Sequence, residues 1–375
     1  MLGRRSEKRV EPGRRQMEAV RPCALAPTSP VVIRFARLGD LVMAIPSMRA
    51  LAVRWGAPVT VVTKGEWGAE LFAGLPFVGD VFTAVSSHAP YLFSPGQWAL
   101  VRFLSRSRGR QIFLLESGRK AGFFCRRGRI DLAGSIALSG RRDNEHEVDA
   151  NARACGVDGP GFRRDPELVV TDDERRACQR WLMTLGLSAA PIVVHPGNSK
   201  TQRGSRNNHK EWPMGRWVDL IGAVRSEHSE APILITGTLR ERNLCVELAA
   251  RAGAGVTSVA GKTTLRQLMA LLRLAHGCIS VDTGPGHVAA ALGCPLVVLF
   301  GKSDPRVYGP VAGKAPVRIV TGPPHAVELS GEAGWRLYHS MHEIPVESVV
   351  SAWRSLGLGT QIQLGMSPIE AVNSV

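Results

Sequence analysis

Residues 278–295, CISVDTGPGHVAAALGCP, run from an apolar strand pattern, through a turn holding Gly284, Pro285 and Gly286, into a helix of small residues. A strand that turns tightly into a helix is the repeating unit of parallel α/β sheets. The helix presents unpaired N–H groups and the positive end of its dipole at the turn. Bare glycines there let a ligand approach the backbone, which suits a phosphate or diphosphate. Asp282 and Thr283 sit on the turn, and His287 falls in the first helical turn. Ala289, Ala290 and Ala291 let the helix lie close to the sheet. The other reading of these residues, taken alone, is an ordinary tight turn with Asp282 as the helix cap.

The same alternation extends on both sides. PIVVHPG (191–197), PILITG (232–237) and CPLVVLFG (294–301) read as buried strands, with helices between. In WPMGRWVDLIGAV (212–224), Trp217, Leu220, Ile221 and Val224 fall on one helical face, with a proline near the first turn. Val346, Val349, Val350 and Trp353 mark another amphipathic helix. An earlier block repeats the pattern: PVVIRFA (30–36), a helix over LVMAIPSMRALAVRW (41–55), PVTVVTK (58–64) and QIFLLES (111–117). A charged helical segment within 163–191 separates the blocks. The expected organisation is a basic disordered tail over 1–28, one α/β domain over 29–175 and a second over 176–335. A helical segment over 336–358 and a flexible tail over 359–375 follow. Two such halves enclose a cleft, and open α/β sheets bind ligands at the carboxyl ends of their strands.

The chain has 375 residues and a net charge of +15, which attracts anions such as nucleic acid, phosphorylated lipid or nucleotides without choosing among them. Its seven cysteines form no C-x-x-C pair, which argues for a reducing compartment and against a zinc site. The start, MLGRRSEKRVEPGRRQ, lacks the apolar stretch of a secretory signal, and no apolar run approaches a membrane span. A soluble cytoplasmic protein is expected.

Several motifs carry two readings. Gly284-Pro-Gly286-His-Val-Ala289 fits G-x-G-x-x-A, with Asp304 placed as the ribose-binding acid of a dinucleotide fold, and so admits a nicotinamide-dependent oxidoreductase. The turn comes late in the chain, however, and holds a proline. AGKTT (260–264) ends like a P-loop, but Val256 stands where its first glycine belongs. The positive charge admits a non-catalytic nucleic-acid-binding protein. In RFARLGD, Arg37, Gly39 and Asp40 follow the first strand; Asp40 is either a helix cap or a cleft-facing general base. The loop 195–213 offers Lys200, Arg203, Arg206 and Lys210 to phosphates, or to solvent. His339 and His342 have no carboxylate motif beside them and are expected at the surface rather than on a metal.

Three pieces together resemble the glycosyltransferase family of the ADP-heptose:lipopolysaccharide heptosyltransferases. They are R-x-x-x-L-G-D, here Arg34 to Asp40; K-x-W-P, here Lys210, Trp212 and Pro213; and D-T-G-P-x-H-x-A-A-A-L-G-x-P, here Asp282 to Pro295. The segment LVVLFGKSDPRVYGP (296–310) is similar to the family's F-G-x-x-D-P. The likeness covers about residues 30–357, and the long third motif is its most specific part. The arginine-rich loop 198–209 and the basic N-terminal tail depart from the pattern.

The resemblance implies a GT-B fold of two Rossmann-like domains, acceptor on the first and sugar nucleotide on the second. It implies inverting transfer of a sugar, heptose from ADP-heptose, to a lipopolysaccharide core or related glycolipid. No metal and no cofactor beyond that co-substrate are implied. Asp40 would take the acceptor proton. Lys210 and the turn formed by Asp282, Thr283, Gly284, Pro285, Gly286 and His287 would hold the leaving diphosphate. Glu241 resembles the ribose-binding position. Residues 102–142 carry eleven Lys/Arg against two acids, in the half that the resemblance gives to the acceptor. Arg37, Arg119, Lys120, Arg126 and Arg127 are the acceptor-binding candidates there. Such a concentration suits an anionic glycolipid and peripheral contact with the inner face of a membrane, or else serves only solubility. Nucleic acid is not an expected partner.

Overall fold

The computed structural model describes residues 29–359 except 66, 85–94, 108, 117–124, 130, 137–139, 141, 200, 202–208 and 329–334. The first half comprises β1 (Val31–Arg34), α1 (Leu38–Trp55), β2 (Val59–Lys64), α2 (Trp67–Phe72), β3 (Val78–Ala84), α3 (Pro95–Arg106), β4 (Ile112–Leu114), β5 (Gly134–Ser135) and α4 (Glu147–Ala154). Next comes α5 (Asp172–Thr184). The second half comprises β6 (Ile192–His195), α6 (Met214–Glu227), β7 (Ile233–Ile235), α7 (Arg242–Ala252), β8 (Val256–Ser258), α8 (Leu265–Leu274), β9 (Gly277–Val281), α9 (Gly284–Ala291), β10 (Leu296–Phe300), α10 (Pro305–Tyr308) and β11 (Val317–Thr321). A hairpin of β12 (Pro324–Glu328) and β13 (Trp335–His339) precedes α11 (Val346–Arg354).

Both sheets are parallel, in the orders β3-β2-β1-β4-β5 and β11-β10-β9-β6-β7-β8. A parallel sheet covered by helices on both faces requires strands that are apolar throughout. Accordingly β1 (VVIR), β9 (GCISV) and β10 (LVVLF) are buried at every position. In each sheet the strand order reverses beside the first strand, between β1 and β4 and between β6 and β9. These two switch points, at the carboxyl ends of the strands, are where such sheets open a crevice.

The two halves share one apolar core. Leu41, Val42 and Ile45 of α1 join Val288, Ala289 and Ala290 of α9 in a single buried cluster. Small residues on α9 allow this close approach. A methyl group on Gly284 would stand 2.6 Å from the Leu38 Cβ, and one on Gly286 would stand 2.7 Å from the Ser280 Oγ. Gly284 is therefore bare because α1 of the other half lies against it, and Gly286 because α9 lies against its own strand. Packing is therefore a reason for both glycines beside the expected approach of a ligand.

One expectation changes. Of the segment 336–358 expected to be helical, Trp335–His339 is a strand and only Val346–Arg354 is α-helical, because WRLYH carries aromatic residues of high strand propensity. The charged segment α5 packs against α8, and Glu174 pairs with Arg266. The tails 1–28 and 360–375 lie outside the described residues.

Candidate active site

A cleft of about 640 Å³ lies between the halves, at the β6/β9 switch point. A second cavity of about 510 Å³ adjoins it at the β1/β4 switch point. Arg37, Asp40, Trp67 and Tyr308 line both, so the two spaces meet at Asp40.

Asp40 stands in the first turn of α1, and one carboxylate oxygen accepts the Arg37 amide at 3.0 Å. Asp40 is thus the third residue of α1 rather than its N-cap, which is Arg37, and it lines the cleft. Its other oxygen faces the Arg34 guanidinium at 3.7 Å. Arg34 is buried; it donates to the Leu115 carbonyl and pairs with Glu147 at 2.6 Å. Burial pulls the Arg34 guanidinium below its usual value, and the negative charges of Asp40 and Glu116 oppose this. Glu147 had no motif around it to single it out; its role comes from a contact 113 positions away in the chain.

On the opposite wall, α9 points its N-terminus into the cleft. Thr283 is the N-cap, but its hydroxyl turns back to the Val281 carbonyl, leaving the helix end without a side-chain cap. Among the described residues the Thr283 and Gly284 amides have no acceptor. Asp282 is not the helix cap. Its carboxylate and its carbonyl both hold the Lys210 Nζ, the carbonyl at 3.2 Å. Lys210 is thus committed to the turn rather than projecting free, and Asn198 holds the Lys210 carbonyl at 3.3 Å. His287 is buried, with its ring over Gly39. Burial lowers its pKa, against the pull of Asp282 and Asp40, so the ring is neutral at pH 7.

Glu241 is buried at the far end of the cleft. One oxygen accepts from the Thr238 amide and hydroxyl, both at 2.8 Å. The other lies against Gly197 and has no partner among the described residues. His195 beside it bonds Thr236 at 3.1 Å, and burial lowers its pKa.

The fold thus brings together Arg37, Asp40, Lys210, Glu241, Asp282, Thr283, Gly284, Pro285 and His287 on one cleft, while Gly286 stands behind it. Arg126 and Arg127 are exposed and line neither cavity. Arg119, Lys120, Lys200, Arg203 and Arg206 lie outside the described residues. Asp304, the acid of the dinucleotide reading, caps the short helix α10 and pairs with Arg306. Lys262 of the P-loop-like stretch is exposed, and Thr264 caps α8. His339 bonds the Gly322 carbonyl and His342 is exposed. Among the described residues no three His, Cys, Asp or Glu side chains converge as a metal site. Sequence reasoning missed Trp67 and Tyr308. Tyr308 stood inside the quoted 296–310 segment, whereas Trp67 carried no signal.

Residues 166–329 match the model of glycosyltransferase family 9 (heptosyltransferase). Over that stretch the chain is similar to the family 9 glycosyltransferases. The match contains the Lys210–Pro213 and Asp282–Pro295 motifs on which the resemblance rested, though not Arg34–Asp40. The lipopolysaccharide core heptosyltransferase OpsX of Haemophilus influenzae is 24% identical over 205 residues, 51% of this chain and 54% of that protein. The chain thus spans about half the length of the curated relatives it matches. The structure of the ADP-heptose lipopolysaccharide heptosyltransferase II of Escherichia coli superposes with a TM-score of 0.67, at 21% identity. It covers 88% of this chain and 98% of that one. A family 9 glycosyltransferase from Veillonella parvula gives 0.68 at 17%, covering 88% and 97%. The fold is the GT-B arrangement that the motifs implied.

Proposed function

We propose that this family 9 relative is an inverting glycosyltransferase that moves a sugar, heptose from ADP-heptose, onto a lipopolysaccharide core or related glycolipid. The observation that carries the reading is the place of Asp40, where a cavity of the first half opens into the cleft beside α9. A hydroxyl entering from the cavity of the first half meets the anomeric carbon of a donor in the cleft. As its oxygen bonds to that carbon, the bond to the diphosphate breaks and Asp40 takes the hydroxyl proton. Attack and departure on opposite sides invert the centre.

The leaving diphosphate gains charge beside the α9 N-terminus. The Thr283 and Gly284 amides and the helix dipole face it there. The Lys210–Asp282 pair carries no net charge and fixes the shape of the turn. The open oxygen of Glu241 suits a ribose hydroxyl. No resident metal or cofactor enters this scheme. Outside the cleft, Arg102, Arg106, Arg126, Arg127, Arg129 and Arg142 are exposed and suit an anionic membrane face, whereas Arg110 is engaged with Ser29 and Thr60. Among the described residues no helix is long and apolar enough to cross a membrane.

The test is Asp40→Asn. Removing a general base should lower kcat by ~10²–10⁴-fold, with ADP affinity by calorimetry retained. Near wild-type turnover would leave Asp40 with only its structural bond to the Arg37 amide.

A further inference from the structure

The cavity at the β1/β4 switch point has a composition that bears on what enters it. Its described lining holds three cations, Arg34, Arg37 and Lys64, against three carboxylates, Asp40, Glu116 and Glu147. A phosphate site needs a surplus of donors and positive charge. The described part of the wall is charge-balanced and offers donors and acceptors in equal supply, as the hydroxyls of a neutral sugar ring require.

Trp67 supplies the other half of the site. Its side chain is 37% exposed although it is large and apolar, and it lines both spaces. Two glycines bring it to this position. Gly65 takes φ +84°, and a methyl group on it would stand 2.2 Å from the indole nitrogen, so the indole lies over the bare turn. Gly68 lets the first turn of α2 settle on Thr63 of β2. The indole is therefore backed by main chain, with open space before it. A rigid aromatic face beside evenly mixed polar groups matches the two sides of a pyranose, apolar on its C–H face and polar at its hydroxyls.

We propose that Trp67 is the platform on which the reacting ring of the acceptor stacks, and that this ring is an uncharged sugar. Anionic groups of the acceptor then lie outside the cavity. The assignment of this space to the acceptor rests on the transferase reading above.

The experiment compares Trp67→Ala, Trp67→Phe and the unaltered chain. One acceptor is an oligosaccharide ending in a neutral heptose; the other is the same oligosaccharide phosphorylated on that ring. For the neutral acceptor, KM should rise about tenfold in Trp67→Ala and recover in Trp67→Phe, as expected for one lost aromatic contact. Donor KM should change less than acceptor KM, and thermal unfolding should show that the variants fold. The phosphorylated ring should be the poorer acceptor. An unchanged acceptor KM in Trp67→Ala, or a preference for the phosphorylated ring, overturns the proposal. Binding of the neutral oligosaccharide is also followed without donor, by tryptophan fluorescence, in the unaltered chain and in Trp67→Phe. A signal that vanishes in Trp67→Phe supports the platform even if no transfer occurs, in which case the transferase reading alone fails.

Discussion

Replacing Gly284 by alanine tests the close approach of the two halves at the cleft. The added methyl would stand 2.6, 2.9 and 3.0 Å from the Cβ, Cδ2 and Cγ of Leu38. Carbon atoms rest at about 3.5–4.0 Å, so α9 must recede by about 1 Å. Overpacking of this kind costs about 1–3 kcal/mol. Alanine is the better helix former by at most about 1 kcal/mol, and by less in a first turn. The net loss should be about 1–2 kcal/mol, seen as a Tm lower by a few degrees. The functional effect should be larger than the thermal one. The first turn of α9 carries the amides that face the diphosphate, and displacement by about 1 Å can slow a reaction by ~10²-fold. Calorimetry with ADP, thermal unfolding and turnover together read the outcome. Leu38→Gly removes all three contacted atoms, so the double variant should show a favourable coupling between the sites. An unchanged Tm with ADP affinity lost would mean that the glycine serves the ligand. No coupling with Leu38→Gly would refute the packing argument outright.

Lys210→Met should leave the Asp282 carboxylate, 7% exposed, without its cation. Unpairing a buried charge costs about 3–5 kcal/mol, and the partial exposure of Lys210 places the expected loss near the lower figure. ADP affinity should also fall, and Asp282→Asn in the same chain should restore part of both; no restoration would separate the two residues. Burial, aided by the nearby charge of His228, holds His276 down at about 4, against ~6.5 in an unfolded chain. The unfolded state then takes up a proton that the folded state refuses. Stability should be full above about pH 6.5, fall with decreasing pH, and lose this dependence below about 4. His276→Gln should flatten the Tm profile in that window, and an unaltered slope would assign it elsewhere. Transfer should survive a chelator; complete loss in EDTA, restored by magnesium or manganese, would contradict a scheme in which α9 alone meets the diphosphate.

The strand-and-helix alternation, the division into two α/β halves and the motifs at Arg34–Asp40, Lys210–Pro213 and Asp282–Pro295 were legible in the sequence. Each is a local property: the burial of a parallel strand shows as an apolar run, and a turn onto a helix shows as small residues. The edge strands β3, β5, β8 and β11 and the hairpin β12–β13 were missed. The edge strands are short or only partly buried, so no continuous apolar run announces them. What the turn 282–287 does was decided only by tertiary structure. Sequence offered two uses for Gly284 and Gly286, ligand approach or a plain turn. The folded chain adds a third that neither reading foresaw, contact with Leu38 and with Ser280. Likewise, Asp282 could be read as a cap until Lys210, 72 positions before it, was found to hold it. Arg34 meets Glu147, and Trp67 meets the cavity, through chain crossings that no local pattern records. Periodicity fixes which face of an element is buried. Which distant residue lies against that face is set by how the two sheets dock.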